Sequence, residues 1–294
     1  MPSIKNRKRG FFTFAQNSNR VDYVRLAYGL ALSILHTQKS APYLTIGITP
    51  GTSIDPRYEW AFDNIVEIPW GDDAASSDWK LENEWKAAWM TPYEETMKLD
   101  CDMLLFGDLA PWWENLAAVG PDFKWATRVL NWRGSTVDSD YYRKTFTASR
   151  LPNIYTGMGW FRKSDQSFSF FETAKLITWN WQRHYDEFLS FDHRPDRPST
   201  DVTFALATKI HDVDGYHYGR SMVPTFTHMK SRVQGWKNQN ISDDWREHIS
   251  PFFSSAGECR IGNHLQVYPL HYHLKDFLCD SMISKYERLV GHVR

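Results

Sequence analysis

The sequence predicts an α/β fold in which helices flank a mixed, mostly parallel sheet, as a single domain with a C-terminal extension. Apolar runs at residues 11–15, 43–48 and 64–68 predict strands, and a helical pattern at 21–36 separates the first two. Alternation of this kind is typical of sheets whose strands run parallel. The chain has 294 residues, 42% of them hydrophobic, so it is long enough to bury one large core or two small ones.

Local sequence patterns also predict the later helices, strands and loops. The polar and charged residues 131–151 predict a surface loop or flap, and a connection of this length is often functional. Ser199 or Thr200 can cap the predicted helix 201–210. The other predicted strands are 98–106, 124–130, 153–161, 222–226 and 265–270, and the other predicted helices are 81–90, 112–118, 168–189, 201–210 and 276–290.

Charge and cysteine content narrow the function classes. The net charge is −1 and the pI is near 6.8, so the chain lacks the overall positive field that drives tight non-specific binding to nucleic acid. Its three widely spaced cysteines form neither a zinc pattern nor a disulfide framework. We expect a cytoplasmic protein in a reducing compartment, with no membrane span, since no apolar run approaches about 20 residues.

Two carboxylates, Asp100 and Asp102, stand one residue apart in an apolar stretch. Burying a carboxylate without compensation is costly, so a buried pair needs a neighbouring positive charge. Alternate residues of a strand face the same side, which would direct both carboxylates at one ion. The pattern favours a divalent-metal site over a solvated acidic loop.

Polar residues beside two later strands extend this candidate site. His271, His273 and Lys275 follow the predicted strand 265–270, and Gly157 lies in a strand that carries two glycines. Ligands of α/β sheets bind at the carboxyl ends of strands. Two carboxylates and one imidazole leave about three positions on an octahedral ion, of which a diphosphate would fill two. His271 is favoured over His273 as the ligand, and a structural role stays open for either histidine.

Four segments together resemble those of GT-A fold glycosyltransferases, which use nucleotide sugars. Residues 91–104 are similar to the TP-aromatic and LDaD-apolar stretches of that family, and 153–161 resemble its N-x-G-apolar-F strand. Asp201 begins a helix like the later acidic helix of these enzymes, and 271–275 resemble their metal and diphosphate clamp. The usual glycine of the clamp is absent, and residues 211–263 resemble none of the family's segments.

The resemblance implies a role for each position. Asp100, Asp102 and His271 would hold Mn²⁺ or Mg²⁺, and Asp201 would be the catalytic acidic group beside the reacting sugar carbon. Residues 1–130 would form the nucleotide-sugar half, and 131–294 would carry the acceptor side and the C-terminal clamp. The implied donor-binding residues are Phe14, Ala15, Asn17, Tyr23, Lys86 (with a surface lysine as the alternative), Asn153, Gly157 and Lys275.

The Trp-rich chain, with 14 Trp, also resembles GT-A proteins of tailed bacteriophages, some of which glycosylate hydroxymethylated pyrimidines in DNA. We therefore expect DNA with 5-hydroxymethylated pyrimidines as the acceptor, and a glycan, lipid or protein as the alternative. Binding DNA requires cations. The candidates are Lys5, Arg7, Lys8, Arg9, Arg128, Arg133, Arg143, Lys144, Arg150, Lys230, Arg232 and Lys237.

Two other function classes stay open. A nucleotidyltransferase would use the same pair of carboxylates but needs a glycine-rich phosphate loop, which residues 14–19 lack. A non-catalytic carbohydrate- or partner-binding domain would use the tryptophans and would tolerate loss of Asp100 and Asp102. The sequence does not predict an oligomeric state.

Overall fold

The computed structural model describes residues 4–75, 77, 80–213, 223–236 and 243–292. Its strands are β1 (Arg7–Phe14), β2 (Leu44–Ile48), β3 (Asn64–Glu67), β4 (Tyr93–Leu99), β5 (Met103–Leu104), β6 (Phe123–Ala126), β7 (Val129–Leu130), β8 (Tyr155–Arg162), β9 (Phe226–His228), β10 (Pro251–Phe253), β11 (Cys259–Ile261), β12 (His264–Leu265) and β13 (Leu270–His271). Its helices are α1 (Tyr23–Thr37), α2 (Pro56–Glu59), α3 (Ala87–Met90), α4 (Ala110–Ala118), α5 (Lys144–Ala148), α6 (Asp165–Trp179), α7 (Trp181–Phe188), α8 (Thr200–Ile210) and α9 (Asp280–Leu289).

The central sheet, as far as the structure describes it, has six strands in the order β3-β2-β1-β4-β8-β6. The first four run parallel, and β8 is antiparallel to both β4 and β6. The predicted mixed, mostly parallel sheet is confirmed. Because β1 to β4 run in one direction, their carboxyl ends lie at one edge of the sheet, next to the start of β8.

A second sheet, in the order β5-β13-β9-β7, continues from that edge. Within it, β13 is antiparallel to β5, which pairs His271 with Met103, and parallel to β9, which pairs His271 with His228. The C-terminal segment is thereby fixed beside the residues that follow β4. Strands β10, β11 and β12 form a separate antiparallel sheet.

Apolar side chains cover both faces of the central sheet, which explains why its strands are continuous apolar runs in the sequence. In β1, Phe11 packs into a core with α1 and α9, whereas Phe12 and Phe14 pack into a second core with α6 and α8. Burying a side chain of this size contributes about 1.5–3 kcal/mol. No helix in the described part of the chain is long and apolar enough to cross a lipid bilayer.

Three strands predicted as continuous are each divided between two sheets. The predicted strand 98–106 separates into β4 and β5, 124–130 into β6 and β7, and 265–270 into β12 and β13. An apolar run does not show where the chain crosses from one sheet to the next. The correction matters most at Asp100 and Asp102, which lie in a turn between β4 and β5, so strand alternation does not direct them.

Three further predictions need correction. The surface loop expected at 131–151 contains α5, whose Phe146 is buried in the second core. The single helix expected at 168–189 is two helices, α6 and α7. The strand expected at 222–226 begins only at Phe226, and the first residue of that prediction lies outside the described residues.

Two glycines of β8 allow close contacts with neighbouring elements. A Cβ atom at Gly159 would lie 2.1 Å from the ring of Trp125, and one at Gly157 would lie 3.0 Å from Asp100 Oδ2. Gly159 therefore makes room for a core tryptophan, whereas Gly157 lets the Asp100 carboxylate lie against the backbone of β8.

Gly159→Ala should destabilise the fold by about 1–3 kcal/mol, because the added methyl group overlaps a ring in a closely packed core. Gly157→Ala is the matched control and should cost less, since its methyl group meets a side-chain oxygen at the cavity edge. Urea unfolding of both variants and the parent measures the difference. A Gly159→Ala protein as stable as the parent would contradict this packing.

Candidate functional site

The turn between β4 and β5 places two carboxylates at the carboxyl edge of the central sheet. Asp100 and Asp102 flank Cys101 in this turn, and only 3% of Asp102 is exposed. The Asp100 amide donates a hydrogen bond of 2.9 Å to the Gly157 carbonyl of β8, and the Tyr272 amide donates one of 3.3 Å to the Asp102 carbonyl. Backbone groups from both sheets therefore hold the turn.

Two side chains of the C-terminal segment meet at the Asp102 carboxylate. His271 Nε2 lies 3.0 Å from Asp102 Oδ2, and Lys275 Nζ donates to the same oxygen. Burial alone would raise the pKa of Asp102, but His271 and Lys275 offset it and hold that pKa well below its usual value. The C-terminal segment therefore stabilises the ionised carboxylate.

Lys98, in β4, neutralises Asp100 from inside the protein. Lys98 Nζ lies 2.9 Å from Asp100 Oδ1, 2.6 Å from Glu84 Oε2 and 2.9 Å from the Thr156 carbonyl. Burial opposes ionisation of Asp100, but Lys98 and His271 hold its pKa below the usual value. At Glu84, burial outweighs the attraction of Lys98 and raises the pKa to about 7.

The donor atoms at this edge fit a divalent cation. One ligand atom each of Asp102, His271 and His273 lies within 4.8 Å of the others, and Asp100 Oδ2 lies 4.0 Å from His271 Nε2. Burial lowers the pKa of His273, and the nearby positive charge of Lys230 lowers it further, to about 3. The His273 ring is therefore neutral at pH 7. Carboxylate oxygens together with imidazole nitrogens suit a divalent metal ion. Because lysines already balance both carboxylates, the metal hypothesis depends on donor geometry and not on charge compensation.

Among the described residues, three adjoining cavities open at this edge. The first has a volume of about 300 Å³ and lies over the turn between β4 and β5. The second, of about 200 Å³, and the third, of about 400 Å³, share Asp201 and His228. Lys230 lines all three cavities. A path therefore leads from the carboxylate turn past Asp201 to the third cavity.

Most of the predicted site residues line these cavities, although they come from distant parts of the chain. Residues from both predicted halves, 1–130 and 131–294, contribute to each of the first two. The first cavity is lined by Phe14, Tyr23, Asp100, Asp102, His271 and Lys275, and the second by Asp100, Gly157, Asp201 and His271.

Four predicted donor-binding residues, Ala15, Asn17, Asn153 and Lys86, do not line these cavities. Ala15 is fully buried in the core. The Asn17 side chain accepts a hydrogen bond of 3.0 Å from the Val24 amide at the start of α1. Asn153 donates to Ser139 and borders a separate cavity. Their role in donor binding stays a prediction, and the contacts described here are structural.

Lys86 is fully buried, so the alternative of a surface lysine is wrong. Its Nζ donates to the Gly71 carbonyl at 2.6 Å and to Asn83 Oδ1 at 2.8 Å, and it lies 3.5 Å from Asp73. Lys86 does not line the three cavities. Its contact with a donor also stays a prediction.

Asp201 lies at the start of α8, and three donors bind its carboxylate. The amide and the hydroxyl of Thr156 each donate to Oδ1 over 2.8 Å, and Arg143 Nη1 donates to Oδ2 over 3.0 Å. The Arg143 guanidinium lies 3.9 Å from the ring centroids of Phe146 and Tyr155. These contacts fix the orientation of the carboxylate at the second cavity.

Sequence patterns missed Glu84, Lys98 and His228 as site residues. Sequence reasoning alone was sufficient to find Lys98, because it precedes Asp100 by two positions at the end of an apolar strand. Glu84 and His228 belong to other elements, which only the tertiary structure brings to the site. The ring of His228 stacks on that of His271 with centroids 4.6 Å apart, and its buried Nδ1 has no hydrogen-bond partner among the described residues.

The sequence matches no family model, and comparison with curated proteins gives no match. In structure, the chain is similar to the galactosyltransferase LgtC, solved with donor and acceptor sugar analogues. The alignment covers 97% of this chain and 96% of that chain at 11% identity, with a TM-score of 0.50. The chain has the GT-A fold. A shared fold does not determine activity.

Two further glycosyltransferase structures align with lower scores. GlyE of Streptococcus pneumoniae TIGR4 has 11% identity and a TM-score of 0.48, over 97% of this chain and 63% of that chain. Mouse xyloside xylosyltransferase 1 has 11% identity and a TM-score of 0.42, over 82% of this chain and 90% of that chain. The assignment of the GT-A fold does not depend on either.

Glu84→Gln should remove a pH dependence of stability between pH 4.5 and about 7. The folded parent keeps the Glu84 proton to about pH 7, whereas the unfolded chain loses it near 4.5, so the parent loses stability as pH rises through this window. The expected loss is at most about 3 kcal/mol.

Urea unfolding at several pH values across that window measures the difference between parent and variant. The free energy of unfolding of Glu84→Gln should rise relative to the parent as pH increases. Glu187→Gln, which changes an exposed carboxylate of α7, is the control. A parallel pH dependence of the parent and Glu84→Gln would show that burial does not shift the pKa of Glu84.

Proposed function

We propose that the chain is a metal-dependent glycosyltransferase that moves a sugar from a nucleoside-diphosphate sugar to a hydroxyl group. The proposal is carried by the cluster of Asp100, Asp102, His271 and Lys275 at the first cavity of a GT-A fold. Ligands of α/β sheets bind at this edge. A cluster that would bind a metal ion, with an adjacent lysine, suits a diphosphate leaving group.

Asp102 and His271, with Asp100 beside them, would hold Mn²⁺ or Mg²⁺. The bound ion would stabilise the negative charge that the nucleoside diphosphate gains as the sugar–phosphate bond breaks. Burial opposes the charge of Lys275, but Asp102 outweighs it and raises the pKa of this lysine. Lys275 is therefore charged and lies where it would neutralise a phosphate oxygen.

The nucleoside and the sugar would occupy the first two cavities. Phe14 and Tyr23 present rings to the first cavity, where a nucleoside would pack. Gly157 brings the backbone of β8 to the second cavity, beside Asp201. Because three donors already bind the Asp201 carboxylate, it is better placed to stabilise positive charge on the sugar carbon than to accept the acceptor's proton.

For the acceptor, we infer DNA that carries a 5-hydroxymethylated pyrimidine, with a glycan, lipid or protein as the alternative. The third cavity adjoins the proposed position of the sugar, where a flipped base would enter. Because Arg143 and Asp201 pair with each other, the remaining lining has an excess of positive charge that suits a phosphate backbone. The charged residues of this lining are Arg143, Asp196, Arg197, Asp201, Lys230 and Arg232.

Other cations suggested for DNA binding are less suitable. Arg7 lies 3.0 Å from Asp63, and Arg9 lies 2.9 Å from Glu95, so both are engaged within the protein. Lys237 lies outside the described residues. The lining of the third cavity therefore supports a DNA acceptor better than Arg7 and Arg9 do.

Several expectations remain proposals. The central sheet includes strands from residues 1–130 and from 131–294, because β8 lies between β4 and β6. The two halves would therefore act as donor and acceptor sides of one domain and not as separate units. A cytoplasmic location and a bacteriophage origin also remain proposals.

Asp102→Asn should lower Mn²⁺-dependent hydrolysis of nucleotide sugars by at least about a hundredfold, because it removes a charged ligand at the leaving group. Release of nucleoside diphosphate from a panel of nucleotide sugars measures the rate. Asp108→Asn, a change at an exposed carboxylate that follows β5, is the control and should keep the parent rate. Parent-level turnover by Asp102→Asn, or no turnover of any donor by the parent, would contradict the proposal.

Arg232→Gln should weaken binding of DNA and reduce the slope of log affinity against log salt by about 1, because one phosphate contact is lost. Donor hydrolysis should not change. Arg183→Gln, on the exposed side of α7, is the control.

The acceptor itself is tested by mass spectrometry of an oligonucleotide that contains 5-hydroxymethylcytosine, beside the same oligonucleotide with cytosine. A mass increase of one sugar on the modified strand alone is expected. No increase with a donor that the enzyme hydrolyses would exclude this acceptor, and transfer to a saccharide would favour the glycan alternative.

A further inference from the structure

The sequence favours His271 as the metal ligand, but the structure brings a second imidazole to the same point. We propose that His273 is also a ligand of the ion, so that two imidazoles and a carboxylate select a transition-metal ion such as Mn²⁺ over Mg²⁺. This inference rests on the proposed function for the presence of an ion and extends it to the identity of the ion.

The rings of His271 and His273 both lie near the Asp102 carboxylate. Their centroids are 6.2 Å apart and their planes are inclined at 79°. One ligand atom from each of the three residues lies within 4.8 Å of the other two. Ligand atoms on neighbouring octahedral positions are about 3 Å apart when metal–ligand distances are about 2.1 Å, so the three atoms would move closer together to coordinate an ion.

The backbone turns sharply at His273. Its φ of 64° lies in the left-handed region, which costs a residue with a side chain about 1–2 kcal/mol. The chain leaves β13 here and enters a 3₁₀ turn at Lys275–Phe277, instead of continuing as an extended strand. Strained residues of this kind cluster at binding sites. His273 therefore carries an imidazole at a position that glycine would occupy with less strain.

Among the described residues, the His273 ring lies edge-on to the rings of His228 and His271. No described residue forms a hydrogen bond with either of its ring nitrogens. The side chain lines the first cavity together with Asp102, His271 and Lys275. A ligand that enters this cavity is therefore the partner that remains for the ring.

The ligand chemistry then determines which ion is preferred. Mg²⁺ favours oxygen ligands and loses its water reluctantly, whereas imidazole suits transition-metal ions. Asp102, His271 and His273 together leave about three open positions on an octahedral ion, or two when Asp100 also binds. Two diphosphate oxygens would occupy two of these positions, so the second imidazole is compatible with the proposed donor.

Calorimetric titration with Mn²⁺ alone and with Mg²⁺ alone, on the parent and on His273→Asn, tests this proposal. Asparagine adopts the left-handed conformation readily, so the variant should fold, but it lacks an imidazole. We expect its affinity for Mn²⁺ to fall at least about tenfold, and its affinity for Mg²⁺ to change by less than about threefold. The control, His264→Asn, removes an exposed imidazole and should change neither affinity.

Pulsed EPR of the bound Mn²⁺ gives a second readout, because coordinated imidazole nitrogens couple to the electron spin. Two coupled imidazoles in the parent and one in His273→Asn are expected. Unchanged Mn²⁺ affinity in the variant, or equal affinities of the parent for Mg²⁺ and Mn²⁺, would overturn the role of His273. If donor hydrolysis persists in that case, the proposed function stands. If the parent binds neither ion and hydrolyses no donor, both the role of His273 and the proposed function are overturned.

Discussion

The burial of the Asp102 carboxylate is the constraint on which the candidate site depends. A carboxylate with so little exposure needs charged or hydrogen-bonding partners, and these come from His271 and Lys275, which lie 169 and 173 residues further along the chain. To bring them there, β13 must pair with β5 on one side and β9 on the other. Removing both partners would leave the buried charge of Asp102 uncompensated, at a cost of about 3–5 kcal/mol.

The same compensation continues into the central sheet. Lys98, at the end of β4, binds Asp100 on one side and Glu84 on the other. The carboxylates are therefore held in position before a ligand arrives, and little reorganisation is needed when charge develops on a leaving group. Stability and the proposed chemistry thus depend on the same buried charges.

Local patterns account for what the sequence predicts correctly. The alternation of strand and helix and the position of Asp100 and Asp102 at a strand end follow from short-range periodicity. The contact of Glu84 with Lys98 and the division of apolar runs between two sheets depend on distant segments, and no local pattern records them. The resemblance to GT-A glycosyltransferases places donor-binding residues at the end of the first strand. It does not show that Phe14 lines the first cavity while Ala15 is buried in the core.

We propose that the turn between β4 and β5 holds a metal ion that binds a diphosphate. A crystal grown with Mn²⁺ and a nucleoside diphosphate tests it most directly, through anomalous scattering from the ion. We predict a peak about 2.0–2.5 Å from ligand atoms of Asp102 and His271, with diphosphate oxygens on the ion and Lys275 at a phosphate. A diphosphate bound without an ion, or an ion bound away from Asp102 and His271, would contradict the claim.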